Sequence, residues 1–178
     1  MRGALLRKRD VGEQLMKRFM AWLCSLLSAI GITACDYINI RELKPGVSSA
    51  LEVRDRFGPP QMEWSNGDGS VTWEYTRQPE GVECFMITIG PDQILRSIDQ
   101  VLNEKSFARV ENGMNSDQVR RLLGKPASSQ FFQLKQETVW EWKIDQGQAT
   151  GGEPTYFTVS FNTDGRVVGT GRYTKHRN

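Results

Sequence analysis

Apolar residues recur at helical spacing in two short segments of the chain. Val53 and Phe57 lie four residues apart in the first segment, and Val119 and Leu123 do so in the second. Residues four apart share one face of a helix, so each segment predicts an amphipathic helix of about two turns. Both segments begin with residues at N-cap and N3 spacing, Ser49 with Glu52 and Asn115 with Gln118. Both end with a glycine and a nearby proline that stop a helix, Gly58 with Pro60 and Gly124 with Pro126.

The segments after each helix alternate as β-strands do. Residues 71–75 (VTWEY) and 139–142 (VWEW) place aromatic side chains two apart, so Trp73 and Tyr75 share one face while Glu74 points to the other. Each is followed by two further apolar runs with turn residues between them. These runs are residues 82–89 and 94–102 in the first set, and residues 156–161 and 166–173 in the second. Each set predicts a three-stranded antiparallel meander.

The two sets of elements form an internal repeat, because Gly46 matches Gly113 and Trp73 matches Trp140 at one common offset. Short helices over residues 37–43 and 103–108 are predicted to open the two copies. The sequence therefore predicts an α+β fold, a tandem repeat of a module with two helices and a three-stranded antiparallel sheet. The first module with its tether is predicted at residues 35–102 and the second at residues 103–178.

Residues 1–34 have the pattern of an export signal. Lys17 and Arg18 precede an apolar stretch at residues 19–32. A membrane-spanning helix needs about 20 apolar residues, so this stretch is too short to be a permanent anchor. The signal is complete whether translation starts at Met1 or at Met16.

The end of the signal, residues 32–35 (ITAC), resembles the bacterial lipobox. That resemblance implies that Cys35 becomes the first mature residue and carries acyl chains, palmitate among them, which hold the protein on a membrane. The alternative is a plain signal with an incidental cysteine. Asp36 follows directly and resembles the inner-membrane retention signal of enteric bacteria, which leaves the inner membrane as the alternative to the outer membrane.

Charge and histidine content exclude several classes of function. The chain has 178 residues, with 23 Lys and Arg against 21 Asp and Glu, and its one histidine is His176. A single terminal histidine removes Ser-His-Asp triads, Cys-His dyads and histidine-rich metal sites from consideration. The first 35 residues hold six basic and two acidic residues, which leaves 17 basic against 19 acidic in the remainder. The folded part therefore has no basic field for nucleic acid, and no cofactor or metal is predicted.

Cys84 is the one cysteine expected in the folded part, because Cys24 leaves with the signal and Cys35 is acylated. Its apolar, strand-like surroundings predict a buried inert thiol rather than a nucleophile. Residues 145–154 (DQGQATGGEP) are rich in glycine but lack the GxxxxGK[ST] pattern of a phosphate-binding loop, so a hairpin loop is favoured there.

Residues 113–126 (GMNSDQVRRLLGKP), followed by VWEW and by residues 156–168 (YFTVSFNTDGRVV), resemble the SmpA/OmlA (BamE) family of outer membrane assembly lipoproteins. The resemblance covers nearly all of residues 103–173, and the first copy matches more weakly. It implies a non-enzymatic lipoprotein on the periplasmic face of the outer membrane. Such a protein acts as an accessory scaffold in the assembly and insertion of β-barrel proteins, with other components of the β-barrel assembly machinery as partners.

The tandem αβ architecture also resembles that of β-lactamase inhibitory protein. That resemblance implies an alternative function, in which the protein inhibits or modulates a periplasmic enzyme through a concave sheet. An enzyme is not predicted, because the matched carboxylates of Glu74 and Glu141 stand in different copies and the sequence gives no reason to bring them together.

Matched arginine and tryptophan side chains are the candidate partner-binding residues. Arg54 and Arg120 occupy the same polar helix position in the two copies, where each either holds a partner's carboxylate or a lipid phosphate, or pairs with an Asp or Glu of the chain itself. The tryptophans either contact a partner or cover the sheets as core residues. The tryptophan candidates are Trp64, Trp73, Trp140 and Trp142.

Overall fold

The computed structural model describes residues 40–147 and 151–176 of the chain. The chain divides into two units, residues 1–42 and residues 43–178. In the first unit only residues 40–42 are described, and they are helical, in agreement with part of the predicted helix at residues 37–43. The predicted signal and the lipidation residue Cys35 lie outside the described residues. Among the described residues no helix is long and apolar enough to cross a membrane.

Within residues 43–102 the first repeat contains one helix and four strands. Helix α1 (Ala50–Phe57) is followed by β1 (Met62–Ser65), β2 (Val71–Thr76), β3 (Cys84–Ile89) and β4 (Leu95–Gln100). Neighbouring strands pair antiparallel in the order β1-β2-β3-β4, which forms sheet 1.

The second repeat contains a short helix α2 (Glu104–Phe107) and then the same series. Helix α3 (Ser116–Leu123) precedes β5 (Ser128–Phe132), β6 (Glu137–Asp145), β7 (Thr155–Phe161) and β8 (Val167–Thr174). These strands pair antiparallel in the order β5-β6-β7-β8 and form sheet 2.

The α+β class and the tandem repeat are confirmed, but each sheet has four strands where three were predicted. The additional strands are β1 and β5, which lie between each helix and the aromatic strand. Strand β1 has only four residues, and all five residues of β5 are exposed. Strand β1 alternates Met62 and Trp64 with polar residues but is too short to be a clear signal, and β5 shows no alternation. Both lie at the edge of a sheet and pair with one neighbour only.

The predicted helix caps are present in both repeats. The Ser49 hydroxyl accepts the Glu52 N–H at 3.2 Å, and the Glu52 carboxylate accepts the Ser49 N–H at 2.7 Å. Asn115 and Gln118 exchange the matching pair of bonds, both at 2.9 Å. These capping boxes satisfy N–H groups that the first helical turn leaves without a partner, so they fix where α1 and α3 begin.

Sheet 1 is buried on both of its faces. On one face Phe57 of α1 packs against Tyr75 and Phe85, with ring centroids 5.2 Å and 6.0 Å apart. On the other face Cys84 and Met86 belong to the core cluster of the second repeat, which includes residues of α3 and sheet 2. The side chains of β2 and β3 alternate between these two cores, so sheet 1 lies between α1 and the second repeat.

Cys84 is fully buried with a free thiol, as predicted. Burial is the main cause that raises the pKa of this thiol to about 12, and the nearby Glu74 carboxylate adds to the effect. A thiol with so high a pKa is protonated at neutral pH, which agrees with a structural role.

Candidate functional site: the repeat junction and the β5–β6 hairpin

Two of the four candidate tryptophans are core residues. Trp73 is 4% exposed and Trp142 is fully buried, where its indole N–H donates to the Gly124 carbonyl at 3.1 Å. A partner cannot reach either ring, so the interpretation of these two as contact residues is corrected to a core role.

Arg54 makes contacts within its own repeat. Its guanidinium donates to Glu63 at 2.8 Å and lies 4.5 Å from the ring centroid of Trp73. Both side chains of the ion pair are about half exposed, so the pair contributes about half a kcal/mol or less to stability. Arg54 therefore remains accessible to a partner.

Arg120 instead joins the two repeats. Its Nε and terminal nitrogen both donate to the Glu74 carboxylate of sheet 1 at 3.2 Å, and the Lys125 N–H donates to the same carboxylate at 3.1 Å. Glu74 is fully buried and the Arg120 side chain is 24% exposed. Arg120 therefore pairs with an acidic residue of the chain itself, and that residue belongs to the other repeat.

Trp64 lies at this same junction. Its register opposite Thr72 on β2 places it on the Glu74 face of sheet 1. The guanidinium of Arg121 lies 4.6 Å from its ring centroid and that of Arg120 5.7 Å. Its indole N–H is buried and has no hydrogen-bond partner in the described part of the chain. Trp64 thus packs between the repeats beneath two arginines of α3.

A loop of the first repeat also binds an edge of the second. The Gln78 side-chain amide donates to the Lys143 carbonyl at 2.7 Å and accepts the Lys143 N–H at 3.1 Å. The Glu80 carbonyl accepts bonds from the side chains of Lys143 and Gln146. With the Arg120 contact, these bonds fix the two repeats in one arrangement.

An exposed apolar hairpin connects β5 and β6 in the second repeat. Phe131 is 50% exposed, Phe132 is 39% exposed and Leu134 at the turn is fully exposed. The matching turn of the first repeat contains Asn66 and Asp68, whose side chains hydrogen-bond within the turn. Exposed apolar groups clustered in this way are typical of protein contact surfaces. We call Phe131, Phe132, Leu134 and Trp140 the hairpin surface.

A cavity of about 290 Å³ lies beside the hairpin surface. Phe131, Trp140 and Phe161 form its apolar wall, and Ser116 and Thr138 contribute polar groups. Trp140 is partly exposed and its ring packs 4.9 Å from that of Phe161. Of the four candidate tryptophans, Trp140 is therefore the one held at an accessible apolar site.

Sequence reasoning missed Phe131, Phe132 and Leu134. The available signal was a difference between the copies, because Phe-Phe-x-Leu stands at residues 131–134 where the first repeat has Ser-Asn-Gly-Asp at residues 65–68. No group of His, Cys, Asp or Glu placed to hold a metal ion occurs among the described residues. What the arrangement offers is an apolar contact surface.

One known protein family matches the second repeat. Residues 100–171 match the family model of the outer membrane protein assembly factor BamE domain. No curated protein matches the chain.

Three solved structures resemble parts of the chain. One is assigned as the osmotically inducible lipoprotein OsmE. The match is 25% identical, spans 42% of this chain and 75% of that protein, and has a TM-score of 0.33. A protein assigned as a β-lactamase inhibitor from Streptococcus mutans is 12% identical over 79% of this chain and 96% of its own, with a TM-score of 0.32. YjgB from Bacillus subtilis is 14% identical over 75% and 82%, with a TM-score of 0.29.

The family match spans α2, α3, the strands β5 to β7 and the first part of β8, and it includes the hairpin surface and its cavity. The resemblance seen in the sequence is confirmed for residues 100–171, which match the BamE domain model.

Proposed function

We propose that this protein is a non-enzymatic lipoprotein that acts as an accessory scaffold in the assembly of outer membrane β-barrel proteins. The BamE domain supports this role, since its family is described as an outer membrane protein assembly factor. The proposal places the protein on the periplasmic face of the outer membrane, anchored by lipid on Cys35, with the inner membrane as the alternative because of Asp36.

We further propose that the hairpin surface contacts the other components of the β-barrel assembly machinery. The observation that carries this step is the exposure of Phe131, Phe132 and Leu134 within the matched domain. Apolar and aromatic side chains that fill a partner's pocket contribute most of the binding energy at protein interfaces. The cavity beside Trp140 offers the partner a reciprocal site for an apolar side chain.

Affinity capture of the tagged full chain from detergent-solubilised membranes tests both steps. The wild-type protein is expected to retain barrel-assembly components. The double variant Phe131→Ser, Leu134→Ser is expected to lose them, because it removes two exposed apolar contacts and leaves the core intact.

The matched control is Val47→Ser, Leu51→Ser, which removes two side chains of the first repeat that are 71% and 68% exposed. This control is expected to keep the components. Equal capture by both double variants would reject the hairpin surface as the contact. Recovery of a single soluble enzyme, with no assembly component, would favour the inhibitor function over the scaffold.

A further inference from the structure

The junction between the repeats consists of two unlike halves. The first half is the face of sheet 1 that carries Glu74 and Met86, both buried. The second half is the end of α3, where Arg120 binds Glu74 and Gly124 follows one turn later. The approach is so close that a Cβ on Gly124 would overlap the sulfur of Cys84.

Sheet 2 carries the first half of such a junction, and the described side-chain partners of its Glu141 are Ser128 and Tyr173 of the same sheet. Glu141 follows a tryptophan on the second strand of its sheet, as Glu74 does, and it is partly exposed where Glu74 is fully buried. The Glu141 carboxylate accepts the Tyr173 hydroxyl at 3.0 Å, and Tyr173 is 38% exposed. A Cβ built on Gly169, which lies on the same face, would meet no atom within 4 Å.

Helix α1 carries the second half, and no described residue covers its end at Gly58. Arg54 and Gly58 match Arg120 and Gly124, and the two glycines have nearly the same φ, 77° and 75°. A Cβ on Gly58 would meet no atom within 4 Å, whereas the matching position on α3 is covered by sheet 1. Exchanging the exposed Arg54–Glu63 pair for a new one costs little, because exposed ion pairs are weak.

We propose that a second copy of this chain docks the end of its α1 onto the Glu141 face of sheet 2, with Arg54 of one copy paired to Glu141 of the next. Two features identify this occupant. The charges are complementary, and the chain already fills one such face with one such helix end. Because the two surfaces differ, the contact is heterologous, and it extends to a row of copies or closes to a ring.

The open face is more polar than the occupied one, with Thr158 at the position that Met86 has in sheet 1. The contact between copies is therefore weaker than the junction within the chain, with a dissociation constant of roughly micromolar to millimolar, as for small transient interfaces. This inference concerns self-association and does not rest on binding to the assembly machinery.

Sedimentation equilibrium of the full chain in a density-matched detergent tests the proposal. The mass of the wild-type protein is expected to rise with concentration. Arg54→Glu and Glu141→Arg are each expected to weaken association roughly a hundredfold, because each variant alone places like charges in contact. In an equimolar mixture of the two variants every contact again joins opposite charges, so the mass is expected to return to that of the wild type.

Arg96→Glu is the matched control, since the Arg96–Asp92 pair is exposed to about the same degree and lies at the turn that bonds the start of α1, not its end. It is expected to associate normally. Gly169→Tyr blocks the open face without a change of charge and is expected to abolish association, which provides a second test should a charge variant fold poorly. A monomeric wild type at every concentration, or a mixture no heavier than its separate variants, would overturn the proposal.

Discussion

Glu74 of sheet 1 and Arg120 of α3 form a bidentate ion pair between two repeats, although they stand 46 residues apart in sequence. The carboxylate has no exposure to solvent and depends on the guanidinium and on the Lys125 N–H for its hydrogen bonds. A buried charge with fixed donors is costly to leave unpaired, so this pair ties the stability of one repeat to the other.

The first prediction is that Arg120→Ala lowers the free energy of unfolding by about 3 kcal/mol, because it leaves the Glu74 carboxylate buried without its main partner. Arg54→Ala, which breaks an exposed pair, is expected to cost about half a kcal/mol. Urea denaturation measures both. Adding Glu74→Leu to an Arg120→Met variant removes both charges and should recover most of the loss. A similar cost for both alanine variants would contradict the buried-pair interpretation.

The second prediction compares Gly124→Ala with Gly58→Ala. Both glycines have positive φ, so alanine strains the backbone at either position by about 1 kcal/mol. At Gly124 the added Cβ also overlaps the Cys84 sulfur, which should cost a further 1 to 3 kcal/mol or so by overpacking. Thermal unfolding monitored by circular dichroism gives the difference. Equal losses would show that α3 does not approach sheet 1 as closely as described.

The third prediction uses the Cys84 thiol as a reporter of the junction. Burial raises its pKa to about 12, so only about one thiol in ten thousand is ionised at pH 8. Alkylation by iodoacetamide should therefore be slower by about a thousandfold than in urea, as measured by mass spectrometry of the Cys84 peptide. Arg120→Ala should speed the native reaction by opening the junction. A native rate within tenfold of the unfolded rate would contradict the burial.

The fourth prediction concerns the proposed anchor. Only a thiol at residue 35 can accept the diacylglyceryl group, so Cys35→Ser should give protein that leaves the detergent phase for the aqueous phase in a partition experiment. Cys84→Ser is the control, because the acceptor at residue 35 is unchanged, and it should stay with the detergent. Detergent partitioning by both variants would reject lipidation of Cys35.

Local sequence signals predicted the elements that depend on neighbouring residues. The caps at Ser49 and Asn115 and the positive φ of Gly124 follow from side chains and backbone within one turn. Strand β5 was missed because its exposed residues lack the alternation that burial imposes. The sequence could not distinguish the roles of the matched Glu74 and Glu141. Glu74 is covered by α3, whereas no described helix covers Glu141. Such a difference arises only from tertiary packing.

The bonds from Gln78 to the backbone of Lys143 determine how the protein would respond to a pulling force. Repeats connected only by a flexible linker unfold one after another under force. Here Gln78 of the first repeat hydrogen-bonds to the backbone of β6 in the second, and the buried Glu74 binds α3 and the residue that follows it. Tension applied across residues 43–176 would therefore load both repeats at once and release them in a single rupture.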